Sequence, residues 1–282
     1  MIALSECQAI SGPISKDTVL CISLAARPTN IGTRFHNYLY EELGLDYIYK
    51  AFTTTGLEGA IRGIRALGIR GCGVSMPCKE ACIEYVDVMD DSARAIQSVN
   101  TIVNTDGVLR AYNTDYIAVR RLFADHGVSA STPFAVYGSG GMAKAVVAAL
   151  RDSGFRAGVV IARNGRTGRE LAGRYGYTWQ PVLGESRPRL LLNATPVGMA
   201  GGPAAGDLAF PAEAVEAADT VFDVVAMPAR TPLVRLARDL GKSVITGAEV
   251  IKLQALEQFV LYTGVRPKDE LAQRASELAR AD

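Results

Sequence analysis

The chain has 282 residues, 49% of them hydrophobic and 21% charged, with a formal net charge of +1. That length exceeds one small core and suits two domains, and the composition is that of a globular enzyme. The near-zero net charge gives no electrostatic basis for binding nucleic acid or an anionic membrane, and no apolar run is long enough to span a bilayer.

The opening residues, MIALSECQAI, lack a basic segment followed by a long apolar stretch. No export signal is read there, and a cytoplasmic location is the expectation. Cys7, Cys21, Cys72, Cys78 and Cys82 make an odd set. Cys78 and Cys82 have helical i, i+4 spacing, but no second His or Cys pair completes a metal site. Reduced thiols and no bound metal are expected.

Strand and helix patterns alternate along the chain. TVLCISLAA predicts a buried strand, FHNYLYEELG a helix closed by Gly44, YIYKAFTT a strand, and LEGAIRGIRALG a helix ending in glycine. IRGCGVSM predicts a third strand and CKEACIEYV a short helix. VNTIVN and VLRAYN predict a hairpin turning at Asp106-Gly107. A parallel sheet is the economical way to join such α/β alternation. From Asp115 onward, DYIAVRRLFADHG predicts a connecting helix. PFAVYGSGG then MAKAVVAALRDSG form a strand, a glycine turn and a helix, followed by the strand GVVIARN and the helix RTGRELAGRYG. RLLLNATPVGM, TVFDVVAM and SVITG predict further strands, and the tail from GAEVIKLQALEQFVLYTG predicts two helices. Serial βαβ units of this kind build a doubly wound nucleotide domain.

Between Gly71 and Asp115 lie three polar motifs, GCGVSMPCKE, SVNT and YNTD. They supply an amine at Lys79, an amide at Asn100 and a carboxylate at Asp115, a set able to hold a polyhydroxylated small molecule and move a proton on it. By themselves Lys79-Glu80 also suits a solvated helix start, and Asp115 suits the cap of the helix that follows. His36 and His126 have no partner motif for nucleophilic work and are read as structural. Tyr38, Tyr40, Tyr47 and Tyr49 are read as packing residues.

Gly138-Ser139-Gly140-Gly141 follows an apolar strand and opens a helix. Glycine there permits a tight turn and close approach to a pyrophosphate, and the helix N-terminus supplies N–H groups. The third fingerprint position holds Ala143 rather than glycine. NAD binders usually end the second strand in an acid; here it runs into Arg163-Asn164-Gly165-Arg166. Two guanidiniums suit a 2′-phosphate, so NADP is favoured over NAD.

Taken in order, these motifs resemble the shikimate dehydrogenase family over nearly the whole chain. GVSMPCK is similar to the family's NVTxPxK, with Lys79 at the catalytic lysine; Val99-Asn100-Thr101 matches VNT, and Asn113-Thr114-Asp115 matches NTD. Gly138 to Ala145 resembles GAGGxxxA, Ala162-Arg163-Asn164 resembles the family's phosphate motif, and NATPVGM spans Asn193 to Met199. The tail glutamine falls on Gln254. The chain departs from the family where its Ser-x-Ser pair is expected, which holds Asn30 and Gly32 ahead of His36-Asn37. Gly73 and Ser75 replace the Asn and Thr of the lysine motif, and Ala226 replaces a tyrosine. These departures resemble the branch called shikimate dehydrogenase-like.

The resemblance implies an N-terminal α/β substrate domain over 1–110, completed by helices over 247–282, and a Rossmann NADP domain over 111–246, with the chemistry in the cleft between them. It implies catalysis by Lys79 and Asp115, and substrate contacts from Asn30, Ser75, Asn100 and Gln254. Cofactor contacts are expected from Gly138, Ser139, Gly140, Gly141, Met142, Ala143, Arg163, Asn164, Arg166, Thr195, Val224 and Gly247. The activity implied is NADP-dependent oxidation of shikimate or a related cyclic polyhydroxy acid, weak on shikimate itself, by a monomer or homodimer. Quinate-type oxidation and a non-catalytic NADP-binding regulator stay open as alternatives. The folate-linked methylene dehydrogenases of similar architecture match the NTD motif poorly.

Overall fold

A computed structural model describes residues 14–281. Cys7 and the opening residues read for an export signal lie outside them. The chain divides into two compact units, Met1–Thr114 with Ala255–Asp282, and Asp115–Gln254.

In the first unit, β1 (Val19–Leu24), α1 (Asn30–Glu42), β2 (Tyr47–Phe52), α2 (Leu57–Ala66) and β3 (Gly71–Val74) follow the alternation read from the sequence. CKEACIEYV is broken into α3 (Cys78–Ala81) and a 3-10 turn, Cys82–Tyr85. Next come β4 (Val88–Met89), α4 (Asp91–Arg94), β5 (Thr101–Thr105) and β6 (Val108–Tyr112). The sheet order is β2-β1-β3-β5-β6-β4. It is mixed, which corrects the expectation of a parallel sheet: β1 runs parallel to β2 and β3, whereas β5 is antiparallel to both β3 and β6. The cause is local. Asp106 (φ 51°) and Gly107 (φ 85°) are both left-handed, the two-residue turn that reverses a strand onto its neighbour.

The two faces of this sheet are packed differently. On one, Ile22, Leu24, Cys72, Val74, Ile102 and Leu109 join Ile61 and Ile64 of α2 in an aliphatic core. The other is aromatic. Phe35, His36, Leu39 and Tyr40 of α1 are buried, and a Cβ on Gly71 would fall 2.3 Å from the Tyr262 ring, so only glycine lets that ring lie on the strand. His36 stacks on Tyr49 with ring centroids 4.4 Å apart, and neither of its ring nitrogens has a hydrogen-bond partner among the described residues. Burial holds it neutral, lowering its pKa to about 3. Cys21, Cys72 and Cys82 are buried free thiols, and Cys78 is half-buried.

The second unit holds α5 (Thr114–Asp125), β7 (Phe134–Tyr137), α6 (Gly141–Asp152), β8 (Gly158–Ile161), α7 (Gly165–Tyr175), β9 (Thr178–Gln180) and β10 (Leu190–Asn193). It continues through α8 (Ala212–Ala217), β11 (Thr220–Asp223), α9 (Pro232–Asp239) and β12 (Ser243–Thr246). Its six strands are ordered β12-β11-β10-β7-β8-β9, and every pairing is parallel. Strand order reverses between β7 and β10, and ligands of doubly wound sheets bind beyond the carboxyl ends at such a reversal. The helix α10 (Gly247–Thr263) starts in the second unit and ends in the first, and α11 (Asp269–Arg280) closes the chain. No helix among the described residues is long and apolar enough to cross a membrane.

Candidate functional site

In the first unit the polar motifs converge beyond β3 and ahead of β5. The Val74 N–H donates to Asn100 O at 2.8 Å, and the Val99 N–H donates to Lys79 O at 2.8 Å. These two bonds tie the lysine turn to Asn100 across the sheet. Lys79 is half-buried on α3; Ser75, just past β3, is exposed, with its backbone N–H on Leu24 O at 2.9 Å. Asn100 is buried, and its side-chain oxygen accepts from Thr101 Oγ1 (2.9 Å), Thr114 N (2.8 Å) and Thr114 Oγ1 (3.1 Å). With the oxygen so engaged, the amide nitrogen is its donor for a ligand.

Asn113 is held just as firmly. Its amide donates to Ser98 O at 3.0 Å, and its N–H donates to Ser92 Oγ at 3.1 Å. Asp115, half-buried, comes two residues later. It is the second residue of α5 and not its cap, which removes the capping explanation for this carboxylate.

Gln254 is half-buried on α10. One turn on, buried Gln258 donates from Nε2 to Asn100 O (3.1 Å) and Thr101 Oγ1 (2.9 Å). From the sequence, Gln254 alone is named; Gln258 is marked only by its bonds to the Asn100 strand. Asn30 is exposed at the start of α1. Tyr49, read as packing, has its phenol oxygen at the glycine positions: a Cβ on Gly73 would lie 3.0 Å from it and a Cβ on Gly32 3.6 Å.

The second unit places its glycine turn at the strand reversal. Gly138 has φ 131°, and a Cβ there would lie 2.7 Å from Ala194 O at the end of β10. Both conformation and space therefore require glycine. Gly140 precedes α6 with no side-chain cap, so the first N–H groups of that helix face an open turn; Gly141 is exposed, Met142 half-buried and Ala143 fully buried. Such an N-terminus is suited to phosphate. Ser139 Oγ lies 2.7 Å from Thr167 Oγ1, joining this turn to the next βα turn.

Asn164 caps α7, accepting from Arg166 N (3.1 Å) and Thr167 N (3.2 Å). Arg163 is exposed and borders a pocket of about 480 Å³ with Tyr137, Leu183, Thr195 and Phe210. Arg166 reaches Glu170 at 3.6 Å on the exposed face of α7.

Thr195 is positioned by a buried chain of hydrogen bonds. Asn193 Oδ1 accepts from Thr195 Oγ1 (2.6 Å) and Thr195 N (3.1 Å), while Asn193 Nδ2 donates to Asp223 Oδ1 (3.0 Å). Asp223 also accepts from Val225 N (3.0 Å) and Thr231 Oγ1 (2.6 Å); burial pushes its carboxyl up, and these donors pull it back. Val224 donates to Asn193 O at 3.0 Å. A Cβ on Gly247 would lie 2.4 Å from Val224 O, so glycine there allows α10 to start against that backbone. His126 pairs with Glu249 at 2.9 Å, and Glu249 in turn accepts from Thr246 N (2.8 Å) and Thr246 Oγ1 (2.6 Å). Among the described residues no group of three or more His, Cys, Asp or Glu is arranged to hold a metal ion.

Comparison with known proteins identifies the family. The family described as the shikimate dehydrogenase substrate binding domain matches residues 31–102. A shikimate dehydrogenase-like protein of Haemophilus influenzae is 55% identical over 267 residues, covering 95% of this chain and 98% of that protein. A solved shikimate 5-dehydrogenase-like structure superposes with a TM-score of 0.95 at 55% identity, covering 95% of this chain and 100% of the other. The shikimate 5-dehydrogenase of Thermus thermophilus, solved in complex with NADP(H) and shikimate, superposes with a TM-score of 0.81 at 29% identity, covering 93% and 99%.

Proposed function

The chain belongs to the shikimate dehydrogenase family of oxidoreductases, and from that premise we propose that it is an NADP-dependent dehydrogenase of a cyclic polyhydroxy acid, slow on shikimate itself. The observation that carries the reading is the tie between Lys79 and Asn100: an amine and an amide donor held together by main-chain bonds at the end of β3. The residues of the second unit fit a dinucleotide. A glycine turn that excludes a Cβ, an uncapped helix start and Arg163 beside an apolar pocket offer a pyrophosphate seat, a cation for a 2′-phosphate and room for a base. When bound, the reduced nicotinamide supplies the hydride.

The remaining work falls to side chains of this chain. Lys79 as ammonium gives its proton to the ring oxygen as the carbonyl becomes a hydroxyl, and takes it back in the oxidative direction. Asn100 donates to a neighbouring ring hydroxyl. Asp115 accepts from a substrate hydroxyl. Gly32, Gly73 and Ala226 lack the polar groups that the family places there. Each lost hydrogen bond is worth about 1 kcal/mol, so two or three lower kcat/KM for shikimate by roughly ten- to several-hundred-fold.

A steady-state screen of cyclic hydroxy acids against NADP and NAD, followed by absorbance of the reduced nicotinamide, tests the reading. Slow, weakly saturating shikimate oxidation and faster oxidation of a relative are expected with NADP. A kcat/KM for shikimate within the roughly 10⁴–10⁸ M⁻¹s⁻¹ of efficient enzymes would remove the altered-pocket part. NADP binding with no turnover of any such acid would point to the regulator.

Cofactor choice is expected to follow Arg163. A guanidinium paired to a 2′-phosphate gains charge-assisted bonds worth roughly 1.5–3 kcal/mol, so Arg163→Ala should weaken NADP by about 10- to 100-fold and barely affect NAD. Arg166, already beside Glu170, should matter less. Calorimetric titration with both dinucleotides reads the difference, and equal losses would make Arg163 structural.

A further inference from the structure

Tyr49 lies on β2, yet its phenol oxygen reaches across β1 to β3. Four observations place that oxygen at one corner of the Lys79–Asn100 site. A Cβ on Gly73 would stand 3.0 Å from the oxygen and 3.5 Å from Gln258 Nε2. A Cβ on Gly32 would stand 3.6 Å from it. Ser23, adjacent to Gly73 in the β1–β3 register, borders the same spot, its Cβ 3.4 Å from the Cβ that Gly73 would carry. Gln258 in turn donates to Asn100 O and Thr101 Oγ1, so the phenol and the Asn100 network meet at Gly73.

The side chain is also held with little freedom. Asn37 brackets the Tyr49 backbone, its Oδ1 accepting from Tyr49 N at 2.8 Å and its Nδ2 donating to Tyr49 O at 2.9 Å. His36 stacks on the ring with an interplanar angle of 12°. His36, read from the sequence as structural, and Asn37 together serve to fix one tyrosine.

Most of Tyr49 is buried, at 3% exposure, but Gly32 and Ser23 beside its oxygen are half-buried. Neither Gly32 nor Gly73 has a side chain to cover the phenol. Burial raises the Tyr49 pKa, so the phenol keeps its proton throughout the working range.

We propose that Tyr49 is a specificity-determining residue, its hydroxyl donating a hydrogen bond to an acceptor oxygen of the ring substrate through the opening left by Gly32 and Gly73. The proposal rests on the dehydrogenase reading above and adds the substrate feature it selects: a carboxylate or hydroxyl oxygen presented at the Gly73 corner. Gly73 is part of the device, because any side chain there meets the phenol at 3.0 Å or less unless the ring moves.

The test uses the full-length enzyme with NADP and the best acid from the screen. Tyr49→Phe should raise KM about 10- to 100-fold, the range for a donor lost to a charged acceptor, with kcat within about 3-fold and the NADP Kd unchanged. Ser23→Ala, which removes the neighbouring hydroxyl and leaves the phenol, should change KM far less. Gly73→Ala should raise KM by displacing the phenol. The double variant Tyr49→Phe/Gly73→Ala should be no worse than Tyr49→Phe, since the clashing oxygen is gone. A KM for Tyr49→Phe within about 3-fold of wild type, or additive effects in the double variant, would overturn the proposal while the dehydrogenase reading stands. A wild type that binds NADP and oxidises no cyclic hydroxy acid would overturn both.

Discussion

Lys79→Ala is expected to lower kcat with the best substrate by about 10²–10⁴-fold, the usual worth of a positioned general acid or base. The residue is half-buried on α3, and its carbonyl is fixed by the Val99 N–H. Truncating it removes the proton donor without disturbing that main-chain bond. Lys79 belongs to the first unit, whereas the glycine turn and Arg163 belong to the second. The NADP Kd should therefore stay within about 2-fold. Single-turnover absorbance with saturating cofactor measures the step, and a kcat surviving within a few-fold would take the proton role away from Lys79.

Asp223→Ala should be the most destabilising of the substitutions considered, by about 3–5 kcal/mol. The carboxylate is fully buried and serves three donors at once: Asn193 Nδ2, Val225 N and Thr231 Oγ1. Asn193 would keep its bond to Val197 O, but the Val225 N–H and the Thr231 hydroxyl would lose their acceptor. Each buried donor left unpaired is worth about 1–3 kcal/mol, and the vacated volume adds to it. Asp223→Asn keeps the volume but turns one acceptor into a donor facing a donor, so it should fall between wild type and alanine. Chemical denaturation followed by circular dichroism reads both. The same lesion should loosen Thr195, which Asn193 holds, and weaken NADP. A loss below about 1 kcal/mol for Asp223→Ala would show that other groups take over its bonds.

Parts of the site were legible because their chemistry is local. The Asp106-Gly107 reversal and the Gly138 turn each depend on a few adjacent residues and on backbone conformations that few side chains permit. Lys79, Asn100 and Asp115 were proposed from short motifs for the same reason. Other elements carried too little pattern: β4 has two residues and β9 has three, too short for alternation to register, and α8 has only six. α9 was missed although Thr231 caps it and Pro232 opens it, a start signal that could have been used.

By itself, the sequence determined the order of the elements, the two-unit α/β plan, the nucleotide turn and the residue types available for proton transfer. Tertiary structure decided which of those residues meet. Tyr49 and Gln258 are far from Gly73 in the chain, and only the pairing of β1, β2 and β3 and the return of α10 bring them to it. The antiparallel course of β5 and the Asp223–Asn193–Thr195 chain were decided in the same way. Propensity and capping act through neighbours along the backbone, so they are written in short stretches. Contacts across a sheet depend on register and on which side chains are absent, and a glycine shows its purpose only when the group filling its space is known.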